Sequence, residues 1–305
     1  MEGAKKSFFL NKIGHSGTLD PMACGLMIVL INKATKLSNQ FLRLPKEYIA
    51  TIRFGIETDT LDIKGNIISE KDIGSLSIER INEALEGFRG EIKQVPPMYS
   101  ALKHNGRPLY KIARSGKSVK RKPRDVEISG IEVRSFDGCV LTVNVKCSSG
   151  TYIRSLADDI GKVLGTGAVL SALKRKKIGS FSLKQSIKLE ELLDITKLDI
   201  LSGDKSSLIS IEGLLGKNPS IYLREEYGKA IINGKRIELE MIDTGKTDME
   251  KLSRVYKSDS PGFDSMVLIR SFSDELLAVH RMIKEKIFTC GESFKQEFTK
   301  SIVIF

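Results

Sequence analysis

The sequence predicts an α+β fold, in which a mixed, mostly antiparallel sheet with flanking helices is followed by a small β-rich domain. Strand and helix patterns mix along the chain without the strict βαβ alternation of a parallel sheet. A polar break at residues 216–219 precedes shorter, strand-like pieces. We therefore predict a first domain over residues 1–215 and a second over residues 216–305, which suits a chain of 305 residues.

Two periodicities locate the elements. Apolar runs and alternation predict strands, and apolar residues spaced by three and four predict helices. Strands are indicated at residues 25–31, 47–54, 126–133 and 140–146, the last two joined by a turn at residues 137–138. Helices are indicated at residues 33–44, 77–88 (with Ser77 as N-cap), 150–164 (ending at Gly165) and 187–193. The second domain has strand-like pieces at residues 236–241, 265–271 and 276–280.

Composition indicates a soluble globular protein. Apolar residues make up 41% of the chain and charged residues 29%, which is ordinary for this class. No apolar run is long enough to span a bilayer, and the first residues lack the pattern of a secretory signal. We therefore predict a cytoplasmic protein without a membrane partner.

Cysteine and histidine are too dispersed to indicate a metal site or a cysteine nucleophile. The four cysteines contain no CxxC pair, which predicts free thiols, and the three histidines stand far apart. The acidic segment at residues 59–65 has Lys64 where a calcium site needs an oxygen ligand, so we interpret it as a turn. Residues 165–170 begin like a dinucleotide-binding fingerprint but lack its last glycine. The sequence therefore predicts no metal and no cofactor.

Positive charge is concentrated in the first domain. The formal net charge is +11, from 49 Lys/Arg and 38 Asp/Glu. Residues 215–305 contain 15 Lys/Arg and 14 Asp/Glu, so residues 1–214 carry the other 34 and 24, a net charge of +10. This excess favours a polyanionic partner, with nucleic acid first and an anionic membrane surface second. A lysine-rich surface that is merely solvated is the alternative.

The most constrained segment is residues 12–27, where one carboxylate lies among turn-forming residues. Asp20 is followed by a proline that fixes the backbone, and it stands between glycines that allow tight turns. The segment resembles the GHxGxLDPxAxG loop of the TruB family of tRNA pseudouridine synthases. It matches that loop at Gly14, His15, Gly17, Leu19, Asp20, Pro21, Ala23 and Gly25. The resemblance implies that Asp20 is the catalytic aspartate; the alternative is a structural turn in which Asp20 caps a helix.

Two further motifs extend the resemblance to Tyr48 and Arg154. The family has a tyrosine that stacks on the target uracil and is proposed to take part in proton removal, and Tyr48 matches its position. Residues 150–154, Gly-Thr-Tyr-Ile-Arg, resemble a motif whose arginine pairs with the catalytic aspartate. Such a pair keeps a carboxylate ionised, and arginine remains charged in this task. The alternatives are a core tyrosine and an ordinary helical pair of Arg154 with Asp158.

A basic segment at about residues 96–125 is predicted to bind RNA. Residues 95–103 at its start resemble a family segment that leads into a mobile loop closing over RNA. Its cations are spaced for contact with phosphates rather than for reading a sequence, with Tyr110 among them. They are Arg107, Lys111, Arg114, Lys117, Lys120, Arg121, Lys122 and Arg124.

The resemblance implies the other site residues as well. Residues 173–177 correspond to a leucine-and-arginine element that lines the uracil pocket in the family. That element often has two consecutive arginines, and Lys174 stands here in place of the first. Lys174 is therefore expected at best to face a phosphate. The predicted substrate-binding residues are His15, Gly17, Leu19, Lys36, Leu173, Arg175, Lys120, Arg121 and Lys122. His15 is expected to occupy the space that the flipped base leaves.

The function implied by the resemblance is isomerisation of uridine 55 in the T loop of tRNA to pseudouridine. It also implies a pseudouridine-synthase-like fold with a PUA-like, RNA-binding C-terminal domain, a monomer, and no metal or cofactor. Family members carry an N-terminal strand and a K-P-x-G-x-S/T motif before the aspartate loop, and this chain has neither. We expect unpaired sheet groups in their place. The first alternative is a catalytically inactive or truncated RNA-binding or tRNA-folding protein. The second is a hydrolase with Asp20 as nucleophile, but the sequence shows neither a base paired with Asp20 nor a set of metal ligands.

Overall fold

The computed structural model describes residues 10–189, 191, 209–233, 237–257, 263, 266–281 and 303–304. In chain order its strands are β1 (Ile13–His15), β2 (Ala23–Gly25), β3 (Val29–Ile31), β4 (Lys46–Phe54), β5 (Ile56–Thr58), β6 (Ile67–Glu70), β7 (Gly90–Gln94), β8 (Lys103–His104), β9 (Arg107–Pro108), β10 (Arg124–Phe136), β11 (Val140–Cys147), β12 (Ala168–Ile178), β13 (Phe181–Ser182), β14 (Ser220–Tyr222), β15 (Met266–Arg270), β16 (Leu276–Arg281) and β17 (Val303–Ile304). The α-helices are α1 (Ser38–Arg43), α2 (Ile78–Glu86), α3 (Leu109–Arg114), α4 (Ile153–Leu164), α5 (Ile211–Leu215), α6 (Gly228–Ile232) and α7 (Met249–Lys257). Short 3₁₀ helices are Asn32–Leu37, Leu183–Gln185, Glu225–Tyr227 and Leu239–Met241.

The described residues form two compact units. The first unit contains Thr18–Leu26 and Leu44–Lys184, and the second contains the described residues of 10–17, 27–43 and 185–304. The chain therefore crosses between the units more than once. A domain boundary between residues 215 and 216 stays a prediction. In the described part of the chain, no helix is both long and apolar enough to cross a membrane.

A seven-stranded sheet forms the framework of the first unit. Its strand order is β13-β12-β4-β11-β10-β7, and β2 pairs with β12 beside that path. All neighbouring strands are antiparallel except β2 and β12, which are parallel. The predicted mixed, mostly antiparallel sheet of an α+β fold is confirmed.

Helices α2 and α4 bury their apolar faces in the same core as this sheet. Ser77 accepts a hydrogen bond from the backbone N–H of Arg80, as expected of the N-cap of α2. Helix α4 begins at Ile153 rather than at residue 150, because Gly150 has a φ of +85° that a helix cannot include. It ends as predicted at Gly165, which adopts the left-handed conformation typical of this position. Each large apolar side chain buried here stabilises the fold by about 1.5–3 kcal/mol.

The sequence patterns do not predict β12, although it pairs with three other strands. Three lysines interrupt its second half, and the buried residue between Lys174 and Lys176 is Arg175. Because arginine is seldom fully buried, the inward-facing side of this strand does not look apolar in the sequence. The single strand predicted at residues 25–31 is also wrong, since β2 ends at Gly25 and β3 begins at Val29.

The second unit contains a two-stranded antiparallel sheet of β1 and β3 and a four-stranded sheet of order β14-β15-β16-β17. Strands β15 and β16 confirm the pieces predicted at residues 265–271 and 276–280. The strand predicted at 236–241 is wrong: Leu239–Met241 form a 3₁₀ turn, whose Met241 is fully buried. Burial from a turn produces the same apolar pattern as a short strand. Residues 33–44 form a 3₁₀ helix followed by α1, and the helix predicted at 187–193 lies partly outside the described residues, which include only 187–189 and 191 of that range.

Candidate active site

The loop that carries Asp20 makes a tight turn and then pairs with β12. The backbone N–H of Ala23 donates a 2.8 Å hydrogen bond to the carbonyl of Asp20, with Pro21 at the first central position of the turn. β2 follows directly and aligns Ala23 with Leu173 of β12. Because the described chain continues as a strand and not as a helix, the alternative that Asp20 caps a helix is wrong.

Gly25 allows this loop to lie against the backbone of Arg175. Its φ is +106°, and a Cβ at this position would lie 2.3 Å from the carbonyl oxygen of Arg175. The backbone N–H of Leu26 donates to that same oxygen at 2.8 Å, and Nε of Arg175 donates to the Leu26 carbonyl at 2.7 Å. A larger residue at 25 would therefore displace the loop that positions Asp20.

Arg154 pairs with Asp20 through both edges of its guanidinium fork. Nε donates to Oδ2 and Nη2 donates to Oδ1, each at 2.8 Å. The Arg154 side chain is 5% exposed, whereas that of Asp20 is 30% exposed. The carboxylate is thus held by a buried cation while part of it remains accessible. Such a bidentate pair is stronger and more directional than a single ion pair.

Three further acceptors hold the Arg154 guanidinium. Nη1 donates to the Thr60 carbonyl at 3.1 Å, and Nη2 donates to the Tyr99 carbonyl at 2.8 Å. Nη1 also lies 3.5 Å from Oδ2 of Asp62. The alternative partner Asp158 instead pairs with Lys162 at 2.5 Å. These contacts place Arg154 in the candidate site rather than on an ordinary helical surface.

Asp62 is a site residue that the sequence patterns do not single out. It lies in the acidic segment interpreted as a turn, and its side chain is only 8% exposed. Oδ1 accepts hydrogen bonds from Thr60 Oγ1 at 2.9 Å and from the backbone N–H of Lys64 at 3.0 Å. The turn thus aims the remaining oxygen of Asp62 at Arg154. The burial of Asp62 is a tertiary signal that the composition of the segment does not reveal.

Tyr48 is half-buried in the middle of the sheet, on β4. Its cross-strand neighbours are Val145 on β11 and Arg175 on β12. Burial raises the pKa of the Tyr48 phenol to about 12, with further increases from Cys147 and Asp20, while Arg175 opposes the rise. The phenol is therefore protonated at neutral pH, and the Asp20 carboxylate is close enough to influence it.

Leu173 and Arg175 are both buried on β12. Leu173 is 6% exposed and belongs to the apolar core of the first unit. Arg175 is 2% exposed, and its contacts with Leu26 tie β12 to the aspartate loop. Lys174 between them is exposed, as expected of a residue that faces solvent or phosphate. Leu19, in the same unit, is half-buried.

The predicted basic segment is an excursion between two paired strands. β7 ends at Gln94 and β10 begins at Arg124, and these two residues are register partners. Within the excursion a β8–β9 hairpin turns through Asn105 and Gly106, which both have positive φ. The excursion continues through α3, whose Arg114 lies 5.8 Å from the centre of the Tyr110 ring. We call residues 95–123 the basic excursion.

The three cations of this excursion that are predicted to bind substrate lie in different environments. Lys120 and Lys122 are exposed. Arg121 is half-buried, and its Nη1 donates to the Pro96 carbonyl at 3.0 Å. Arg121 therefore ties the returning end of the excursion to its start, a contact that charge pattern alone does not predict.

Three predicted substrate-binding residues lie in the second unit. His15 on β1 accepts a hydrogen bond at Nδ1 from the backbone N–H of Gly17, at 3.2 Å. Gly17 has a φ of +128°, which favours glycine. Lys36 is exposed on the 3₁₀ helix. Within the described residues, no group of three or more His, Cys, Asp or Glu side chains is arranged to hold a metal ion.

Comparison with known families assigns the chain to one of them. Residues 5–153 match the model of the TruB family pseudouridylate synthase N-terminal domain, and residues 154–211 match that of the tRNA pseudouridylate synthase B C-terminal domain. The chain belongs to the TruB family. Among curated TruB relatives, tRNA pseudouridine synthase B of Francisella philomiragia is 46% identical over 227 residues, which cover 74% of each chain. The enzyme of that name from Francisella tularensis subsp. novicida is 47% identical with the same coverage.

Solved structures confirm the fold of this TruB family member. A chain in the crystal structure of a Cbf5-Nop10-Gar1 complex aligns with a TM-score of 0.65 at 24% identity, covering 98% of this chain and 79% of that one. A chain in the structure of an H/ACA RNP bound to a substrate RNA containing 2'-deoxyuridine aligns with a TM-score of 0.64 at 22% identity, covering 99% and 78%. At these identities the likeness establishes the fold alone.

Proposed function

We propose that this TruB family member isomerises uridine 55 in the T loop of tRNA to pseudouridine. The observation that carries the proposal is the bidentate pair of Asp20 and Arg154, which leaves a partly exposed carboxylate beside Tyr48. The relatives at 46–47% identity are named tRNA pseudouridine synthase B, which supports the same reaction. The net charge of +11 supports a nucleic acid substrate.

Asp20 reacts with the nucleoside after the target base has left its stack. Flipping the base costs a few kcal/mol of unstacking, which contacts with the protein offset. The carboxylate then attacks C1′ or C6, or starts an elimination at the ribose. The bond between C1′ and N1 breaks, the uracil rotates, and C5 bonds to C1′. A bond that Asp20 has formed to C1′ or C6 breaks again in this sequence, and on the elimination route the ribose proton is returned, so the carboxylate is regenerated. N1 gains a proton and C5 loses one, so the substrate supplies both leaving group and acceptor, and we propose no metal or cofactor.

Arg154 and Tyr48 support these steps in different ways. Arg154 orients Asp20, since the guanidinium faces the carboxylate with two donors. Tyr48 stacks on the base and serves the removal of the C5 proton. Because the pKa of Tyr48 is raised to about 12, the phenol enters the reaction in its neutral form and passes its own proton on as it takes the proton from C5.

Substrate RNA is bound mainly by charge along the basic excursion. Lys120 and Lys122 contact phosphates, because both are exposed there. Leu173, Leu19 and Arg175 border the base, and His15 fills the space it vacates. Gly17 shapes the loop, Lys36 adds a phosphate contact, and a PUA-like C-terminal domain at residues 216–305 extends the RNA contact. We further propose a cytoplasmic monomer that acts on the T stem-loop.

A tritium-release assay tests the proposal. A tRNA transcript labelled at uracil C5 is incubated with the chain, and tritium in solvent is measured, with Asp20→Asn as the catalytic control. Release by the unchanged chain, absent in the variant, is the expected result. Release from a transcript whose position 55 is not uridine would contradict the assigned target. No release despite RNA binding would favour a catalytically inactive RNA-binding protein.

A further inference from the structure

Gln94 lies at the junction between the basic excursion and the helix that carries Arg154. It is the last residue of β7 and is paired with Arg124, the first residue of β10, so the excursion leaves and returns beside it. Gln94 is 2% exposed, and its side chain therefore faces the protein interior. Burial of a polar amide is costly unless its donor and acceptor are both satisfied.

The Gln94 amide finds a partner for its donor and a partner for its acceptor on the backbone of one residue, Tyr152. Oε1 accepts from the backbone N–H of Tyr152 at 2.8 Å, and Nε2 donates to the backbone carbonyl of Tyr152 at 3.0 Å. Tyr152 is the N-cap of α4, and its own side chain makes no capping hydrogen bond. Gln94 therefore fixes the backbone at the start of α4, immediately before the turn that carries Arg154.

Two more contacts attach the start of the excursion to the first turn of α4. Ser155 Oγ donates to the Val95 carbonyl at 3.0 Å, and Arg154 Nη2 donates to the Tyr99 carbonyl at 2.8 Å. That same Nη2 also donates to Asp20. A displacement at the base of the excursion would therefore change the aim of the guanidinium fork at Asp20.

We propose that Gln94 is a positioning residue that couples the RNA-binding excursion to the pair of Asp20 and Arg154. The inference rests on the proposed function, since it concerns the geometry in which Asp20 meets the RNA. It requires an amide: a glutamate at 94 would place a carboxylate oxygen against the Tyr152 carbonyl, and alanine would leave both backbone groups without this partner. Displacement of a reacting group by about 1 Å costs up to about 10²-fold in rate.

The test measures the single-turnover rate with saturating T stem-loop RNA, and separately the dissociation constant of the same RNA, for Gln94→Glu and Gln94→Ala. We expect the rate to fall by about tenfold to a hundredfold while the dissociation constant changes by less than about threefold. Ile160→Val is the matched control, because Ile160 is fully buried on the same helix, whereas the hydrogen bonds of the amide go to Tyr152. This variant loses some stability through packing alone.

The outcomes separate this inference from the proposed function. Equal rates for the unchanged chain and both Gln94 variants would overturn the inference and leave the proposed function intact. A matching loss of rate in Ile160→Val would also overturn it, since general destabilisation would then explain the effect. If the unchanged chain itself releases no tritium, the proposed function is overturned first, and the inference with it.

Discussion

Oδ2 of Asp62 lies 3.5 Å from Nη1 of Arg154, and both side chains are buried. Arg154 therefore faces two carboxylates, those of Asp62 and Asp20, and only Asp20 is accessible enough to meet a substrate. A buried guanidinium needs this compensation, because removing one partner of a buried pair is strongly destabilising.

Asp62→Asn is expected to lower the single-turnover rate by about tenfold or more while RNA affinity changes little. The asparagine retains one oxygen for Thr60 and Lys64, but it removes the negative charge that faces Arg154. Asp59→Asn in the same turn is the control, because Asp59 bonds to Asn66 on the exposed side. Equal rates in the two variants would show that Asp62 does not support Arg154.

Arg154→Lys is expected to lower the same rate by about tenfold to a hundredfold. Lysine keeps the charge but lacks the planar fork that meets both oxygens of Asp20, so the carboxylate loses its fixed orientation. The matched control is Arg80→Lys, since Arg80 on α2 donates its hydrogen bond to the Leu164 carbonyl instead. A fully active Arg154→Lys variant would mean that charge alone is sufficient.

Tyr48→Phe is expected to slow the reaction by about 10²- to 10⁴-fold, the usual range for a lost proton-transfer group, with RNA binding retained. Phenylalanine keeps the ring that stacks on the base and removes only the hydroxyl. Single-turnover kinetics and RNA binding are measured together, with Tyr222→Phe of β14 as the control. Loss of RNA binding in Tyr48→Phe would place the hydroxyl in recognition instead.

Neutralising Lys120 and Lys122 together is expected to weaken RNA binding and flatten its salt dependence. Each phosphate contact contributes a slope of about 0.7–0.9 in log affinity against log salt. Arg121 is left in place, because its contact with Pro96 is structural. As the control, Lys93 and Lys146 are neutralised instead; both lie on the sheet and form exposed ion pairs. An unchanged slope in the Lys120/Lys122 variant would locate the RNA elsewhere.

The ionisation of Lys46 makes the stability of the folded chain depend on pH in the alkaline range. Burial lowers the pKa of the Lys46 ammonium from 10.5 to about 8, and the charge of Arg175 contributes. Below pH 8 the folded chain must hold a buried charge. Between pH 8 and 10.5 the folded state releases this proton while the unfolded state keeps it, so stability rises with pH over that range.

Lys46→Met is therefore expected to stabilise the chain below pH 8, by at most about 3 kcal/mol, and to lose this advantage by about pH 10.5. Denaturant unfolding at pH 7, 9 and 10.5 measures the difference. Lys93→Met, at an exposed lysine, should show no such trend. A stabilisation that is constant across the three pH values would rule out titration of Lys46 as the cause.

Local patterns in the sequence were sufficient for much of the framework. Ser77 caps α2 and Gly165 ends α4 because capping depends on residues within one turn of the helix end. The hairpin of β10 and β11 follows from alternation on both sides of a short turn. Asp20 and Arg154 are found in the sequence because each stands in a short, densely matched motif.

Contacts between distant segments were decided only by the tertiary structure. In the sequence, Asp62 lies in a predicted acidic turn and Gln94 lies in a segment with no predicted element, and only folding brings them to Arg154 and Tyr152. Arg175 is the clearest case. It is only 2% exposed, and because a charged residue occupies this buried position, the sequence of β12 shows no apolar alternation. Periodicity reports which side of an element is buried, whereas the partners of a buried polar group depend on segments far along the chain.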